Sequence, residues 1–184
     1  MSDPFLAYIE PVLGKEGGFS DHPSDRGGAT MWGITEAVAR AFGYQGPMRG
    51  MPRNTAIDIY RARYWTQPSF DRIAEIDAPL GAALLDIGIN MGQAAAGKML
   101  QRLLNVLNGR GVFYGNLTVD GACGAMTRAA LNSLIQKRGP RARVVLLRGV
   151  RALQAGRYVE ICEANPTQED FAWGWLSGRA FADD

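Results

Sequence analysis

A mainly α-helical fold with one small β-hairpin or loop near the N-terminus is predicted by three observations. Apolar residues recur at helical spacing through most of the chain. The runs are separated by Gly and Pro signals, as at Gly17-Gly18, Gly43–Pro52 and Asn165-Pro166. Only residues 17–34, rich in Gly, Asp and Ser with short apolar pieces at Phe19 and Met31-Trp32, read as a hairpin or long loop.

The elements follow in order. Phe5, Leu6, Ile9, Val12 and Leu13 mark a first helix that Gly17-Gly18 ends, and Pro11 inside it predicts a kink or a late start. One step along the face of Ile9, Val12 and Leu13 lands on Glu16, an acid at the end of an apolar stripe. Thr35 caps a helix running to Gly43, and Asn54 or Thr55 starts another whose Ile57, Tyr60, Tyr64 and Trp65 share one face. Pro79 to Leu107 reads as two helices broken near Gly92, and Asn108 to Gly121 as a connection. Helices follow at 124–137 and 141–164, then a short one ending near Arg179.

The 184 residues are 47% hydrophobic and 21% charged, enough apolar surface for a real core. No apolar run approaches the ~18 residues of a membrane helix, and no secretory signal is visible around Pro4–Gly14. Cys123 and Cys162 read as buried thiols. With His22 as the single histidine, a zinc site lacks ligands, and neither metal nor cofactor is expected. Charge is uneven: residues 1–86 carry net −3, residues 87–159 net +10 and residues 160–184 net −5. The basic stretch suits an anionic polymer, whether nucleic acid, lipid surface or cell wall. It equally suits helices whose Arg stems cover apolar surface.

Residues 16–35 hold the densest polar cluster, and five glycines there let the backbone turn sharply. Glycosidic cleavage needs one carboxyl kept protonated in an apolar setting and a second kept ionised in a wet one. Glu16 fits the first role, because burial at the end of its stripe raises a carboxyl pKa above the ordinary ~4.3. Asp25 beside Arg26 fits the second, and Thr30 is placed to hold a water. A turn-rich hairpin whose acids cap backbone N–H groups accounts for the same spacing. Ser20, Asp21 and His22 are neighbours in sequence but match no nucleophile-elbow motif, and His22 reads as a rim residue.

The run EGGFSDHPSDRGGATMWGIT resembles the signature E-G-G-[FY]-x-x-x-P-x-D-x-G-G-x-T-x-x-G-I-[ST] of glycoside hydrolase family 108, bacterial and phage N-acetylmuramidases. That family is similar to other phage-type lysozymes, which carry a Glu, an Asp and then a Thr. Eight residues separate Glu16 from Asp25, and four separate Asp25 from Thr30, where phage-type lysozymes usually have five. The resemblance implies a lysozyme-like α+β fold, with Glu16 as general acid and Asp25 and Thr30 beside it. Ser20, His22, Trp32 and Asn90 are the expected substrate contacts. YRARYW at 60–65 and LLDIGINMG at 84–92 look like further family blocks, with Leu85 in place of the usual aromatic. Asp86 and Asn90 share a helix face there and either border the cleft or tie the two lobes together through buried hydrogen bonds, the structural role being the favoured one.

KMLQRLLN and VDGACGAMTRAAL resemble the L-Q-x-x-L-N and D-G-x-x-G-x-x-T-x-x-A-L pattern of peptidoglycan-binding domains. Asp120, Gly121, Gly124 and Thr127 build such a module rather than touch sugar. The tail from Tyr158 also looks like the family's C-terminal region, and Trp173 and Trp175 read as core anchors. The expected organisation is a catalytic region at 1–97 and a helical peptidoglycan-binding-like region at 98–184, packed together. The expected function is hydrolysis of the β-1,4 bond between N-acetylmuramic acid and N-acetylglucosamine by a phage or prophage endolysin. A lytic transglycosylase, or a non-catalytic wall-binding or secretion-helper protein, is the alternative. Peptidoglycan glycan strands are the expected partner and nucleic acid is not. A monomer is expected to stay in the host cytoplasm until a separate membrane-permeabilising protein opens the way to the wall. Arg138, Arg141, Arg143, Arg148 and Arg151 are expected to help hold it there in a salt-sensitive way.

Overall fold

Phe5, Ile9 and Leu13 recur every four residues, and all three are fully buried, which fixes the first helix, α1 (Pro4–Glu16). A late start at Pro11 is not seen. Proline removes one helical hydrogen bond, and the buried stripe on both sides of it holds the register. The structure, a computed structural model, describes residues 4–16, 18–20 and 28–181. They divide into two compact units, Met1–Gln67 and Pro68–Asp184.

In the first unit a two-residue-strand hairpin, β1 (Thr30–Met31) and β2 (Ile34–Thr35), follows α1, so the expected hairpin is present. Thr35 then caps α2 (Glu36–Phe42) by accepting the Val38 amide, and Gly43 at φ 100° closes it, both as expected. The next helix, α3 (Arg53–Tyr60), continues into a π-helical turn, Arg61–Thr66. Its buried Ile57, Tyr60 and Trp65 lie on the expected face. The Phe5 ring meets Trp65 at 5.9 Å, and Arg53 ion-pairs Glu10, so α1 is joined to the π-helical turn by an aromatic contact and to α3 by a charge pair.

The second unit holds α4 (Phe70–Ile76), α5 (Ala78–Met91), α6 (Gln93–Leu107), α7 (Ala125–Arg138), α8 (Arg141–Ala164) and α9 (Glu169–Trp175). The seven residues of α4 are too few to show a period, and the sequence did not predict it. Leu80, Ala83, Leu84, Leu85 and Ile87 of α5 are at most 1% exposed, as expected of a helix enclosed by its neighbours. Asp86 of α5 accepts from Arg151 (3.1 Å) and Gln154 (2.9 Å) on α8 and from Arg179 (2.9 Å) in the π-helical turn Leu176–Ala180. Its carboxylate therefore clasps three segments.

Gln101, Asp120, Gly121 and Thr127 of the L-Q-x-x-L-N and D-G-x-x-G-x-x-T pattern share one network. Buried Gln101 donates to Asp120 Oδ1 (2.8 Å), to the Ala122 carbonyl (3.0 Å) and to Thr127 Oγ1 (3.3 Å), and accepts from the Gly121 amide (2.7 Å). Asn105 exchanges two hydrogen bonds with the backbone of Leu117. The long connection is thereby pinned along α6, as module-building residues should pin it. Cys123 and Cys162 are free and buried, and burial pushes the Cys123 thiol up to about 12.

The hydrogen bonds from Gln101 and the Ala122 amide hold the Asp120 carboxyl below the usual carboxylate range. A carboxyl depressed in the folded state adds stability above its unfolded pKa of ~3.9 and loses it as pH falls through the folded value. Asp120→Asn should therefore unfold at lower urea than the parent at pH 7, and the gap should narrow as pH falls below the unfolded carboxylate range and close below the folded value. A gap that is constant with pH would mean that the carboxylate charge contributes nothing.

The tail departs from expectation at one residue. Trp175 stacks on Tyr158 (5.0 Å) and Phe171 (5.7 Å), but Trp173 is 83% exposed and anchors no core. Two residues along a helix is about 200°, so when Phe171 and Trp175 share the packed face, Trp173 points away.

Candidate active site

Ser20 and Thr30 exchange both backbone hydrogen bonds, Ser20 N to Thr30 O at 2.9 Å and Thr30 N to Ser20 O at 2.7 Å. Thr30 is thus paired with a residue four positions past the end of α1, and Asp25 lies between the two paired residues in sequence. Thr30 is flanked on its other side by Thr35. With its backbone committed, Thr30 keeps a hydroxyl that has no partner among the described residues, and exposed Ser20 does the same.

Two successive residues at positive φ, Trp32 (56°) and Gly33 (72°), make the hairpin turn. This two-residue turn matches the right-handed twist of its strands, and glycine suits the second place. A tryptophan in the left-handed region is strained by roughly 1–3 kcal/mol and needs support. Support comes from the indole N–H, which donates to the Met51 carbonyl (2.9 Å), and from Tyr60 Oη, which donates to the Trp32 carbonyl (3.2 Å). Phe19, before the pair, lies under the Arg49 guanidinium at 4.1 Å. The rim on the Ser20, Thr30 and Trp32 side is therefore fixed by backbone pairing, an indole bond and a cation–π contact.

Of the residues expected to act, Thr30, Ser20 and Trp32 come together on this hairpin. Glu16 is the last residue of α1, one helical turn beyond buried Leu13. Asp25 and His22 lie outside the described residues. Asn90 belongs to the Pro68–Asp184 unit, where its amide donates to the Asp86 carbonyl (2.9 Å) and to Asp86 Oδ1 (3.4 Å).

The other acid of α1 is already engaged. Its hydrogen bond with Arg53 holds the Glu10 carboxyl below the usual carboxylate range, so Glu10 is no proton donor near neutrality. The structure adds one acid that sequence reasoning passed over. The Glu36 amide donates to the Ala29 carbonyl (2.8 Å), and its Oε2 stands 3.6 Å from where a side chain on Gly28 would begin. Its other oxygen is bound by Arg40 at 2.7 Å. The only signal in sequence was its place after the helix cap Thr35, which reads as first-turn capping.

The five arginines expected to meet the wall divide by their partners. Arg143 donates to the Ile76 carbonyl and pairs with buried Asp77 at 3.2 Å, and Arg151 is held by Asp86. These two hold helices together. Arg138 lies 4.9 Å over the Phe113 ring. Arg141 and Arg148 have no partner among the described residues.

Residues 9–92 match the family model for glycosyl hydrolase 108, and residues 95–180 match that of a predicted peptidoglycan domain. The chain is similar to the solved structure of SagA from Brucella abortus, at 29% identity and TM-score 0.61, over 97% of this chain and 94% of that one. No curated protein matches it. The border between the two family matches falls after α5, whereas the border between compact units falls before α4. Helices α4 and α5, sequence-wise part of the hydrolase match, thus pack with the helices of the peptidoglycan match.

Proposed function

Because residues 9–92 match the glycosyl hydrolase 108 family model and residues 95–180 that of a predicted peptidoglycan domain, we propose that the protein is an N-acetylmuramidase. That it is a glycoside hydrolase acting on peptidoglycan follows from the two domains together. The finer reading assigns it the β-1,4 bond between N-acetylmuramic acid and N-acetylglucosamine, with Glu16 protonating the leaving sugar oxygen. Asp25, ionised, activates a water that Thr30 orients. Such an inverting arrangement leaves about 6.5–9.5 Å between the carboxyls for that water.

The observation that carries this reading is the Ser20–Thr30 pair. It pairs Thr30, whose hydroxyl has no partner among the described residues, with Ser20, four residues past the end of α1, and Asp25 lies between the two in sequence. The engagement of Glu10 by Arg53 leaves Glu16 as the acid of α1 for proton donation. The reading extends to an endolysin that reaches the wall through a separate membrane-permeabilising protein, and the support for that extension is the motif resemblance.

Digestion of purified peptidoglycan followed by mass analysis of the fragments tests the reading. Reducing N-acetylmuramic acid ends are expected. Anhydro ends would make the protein a lytic transglycosylase, reducing N-acetylglucosamine ends would place the cut at the other bond, and no new ends would leave a binding protein.

A further inference from the structure

We propose that the cleft between the end of α6, the end of α7 and the start of α8 binds the peptide stem of peptidoglycan through its carboxylates, rather than the glycan strand. The proposal rests on the reading of the protein as a peptidoglycan hydrolase and names what its second family match would hold.

The cleft is a cavity of about 370 Å³ lined by Leu107, Leu134, Arg138, Arg141, Ala142 and Val145. That volume lies within the ~300–1,000 Å³ range of small-ligand sites. Its chemistry is narrow. The walls are aliphatic, and the polar groups are two guanidiniums. A saccharide site hydrogen-bonds its hydroxyls through carboxylates and side-chain amides and stacks the sugar ring on an exposed aromatic face. This lining has neither carboxylate nor amide, and the nearby Phe113 ring is covered by Arg138. A short peptide with alanine methyl groups and free carboxylates is complementary to both features: methyls to the aliphatic walls, and carboxylates to the planar forks of arginine. The stem peptide is the part of peptidoglycan with that chemistry.

The placement of Arg141 argues for the same class of ligand. It is the first residue of α8, a helix of 24 residues, with no acidic residue in the first turn. A cation there opposes the helix dipole. Arg143, two residues on, is compensated by Asp77 and the Ile76 carbonyl. Arg141 has no such compensation among the described residues, and the same dipole that disfavours it attracts an anion to the cleft beside it. Val145, in the lining, is 43% exposed, an apolar side chain left uncovered next to the two cations.

The test titrates the whole protein with a soluble stem tetrapeptide, L-Ala-γ-D-Glu-diaminopimelate-D-Ala, by calorimetry. Arg141→Ala and Arg138→Ala should each weaken binding at least ~10-fold, as should amidation of the peptide's carboxyls. Arg148→Ala is the control: it removes the same charge from an exposed arginine on the same helix, without a partner among the described residues and outside this cleft, and should leave tetrapeptide affinity within about 2-fold. Peptide-free glycan chains should bind the Arg141→Ala protein as they bind the parent. No binding of the tetrapeptide, or an equal loss with Arg148→Ala, would overturn the proposal, the latter by reducing the site to general basic charge. Should Arg138→Ala lose its fold with the Phe113 contact, Arg141→Ala and the amidated peptide decide alone. Hydrolysis of peptidoglycan without tetrapeptide binding sinks the cleft and spares the enzyme. Arg141-dependent tetrapeptide binding without glycan cleavage does the reverse.

Discussion

Glu16→Gln is expected to lower turnover on peptidoglycan at least ~10²-fold with the melting temperature unchanged, the low end for a lost general acid. Glutamine keeps the shape of the side chain and has no proton to give. The leaving oxygen of a glycoside departs poorly as an alkoxide, so the reaction needs that proton near neutral pH. An ordinary glutamic acid, with a pKa of ~4.3, is then almost wholly ionised, and the proposed role therefore requires a setting that favours the neutral form. Position 16 follows the fully buried stripe of Phe5, Ile9 and Leu13 by one turn, which is where helix-end burial can supply such a setting. Glu10→Gln is the matched comparison on the same helix. Its carboxylate binds Arg53, so that variant should change stability and leave the chemical step intact. Asp25→Asn should also lose activity, less completely if Thr30 still positions water. Assay on labelled sacculi with a fold check by circular dichroism decides the matter. A folded Glu16→Gln protein with near-normal activity would remove Glu16 from the mechanism.

The second large effect concerns Gly97, and its sign is diagnostic. A glycine in the middle of a helix such as α6 ordinarily gains ~0.8–1 kcal/mol on replacement by alanine. Here a β-carbon on residue 97 would stand 1.9 Å from the Gly121 carbonyl oxygen and 2.6 Å from its carbon, both backbone atoms. Gly121 cannot retreat freely. Its φ is +91°, its amide is bound by Gln101, and its own α-carbon side faces the Ala94 backbone. Gly97→Ala must therefore lift the Asp120-Gly121 turn off α6 and undo the Gln101 network. Overpacking at ~1–3 kcal/mol and stranded buried polar groups at a further ~1–3 kcal/mol predict a loss of about 3 kcal/mol or more. For a chain of this size that is a drop of about 10 °C in melting temperature. Stabilisation, or no change, would show that the close approach of turn and helix is not required.

These two sites were legible in sequence to different depths. Glu16 stood out as an acid ending an apolar stripe, because helical period alone says which residues share a face. Gln101, Asp120, Gly121 and Thr127 were recognisable as a pattern and as module-building residues. Their mutual bonds were not, because hydrogen-bond partners separated by 19 to 26 residues leave no periodic trace. Gly97 carried no signal at all, since its requirement comes from a turn 24 positions away.

Local rules thus determined most of the helices, the Thr35 cap, the Gly43 and Gly92 breaks, the hairpin and the two buried cysteines. Each depends on neighbours within about one turn, and that information is written along the chain. Tertiary packing alone decided the rest. It joined α4 and α5 to the helices that follow and turned Trp173 to solvent while stacking Trp175 on Tyr158. It also separated five similar arginines into two that clasp buried or half-buried carboxylates, one laid on a ring, and two without a partner among the described residues. Charge in a sequence is a sum. What each charge does depends on which opposite group the fold carries to within ion-pairing distance, and that is fixed by contacts between segments far apart in the chain.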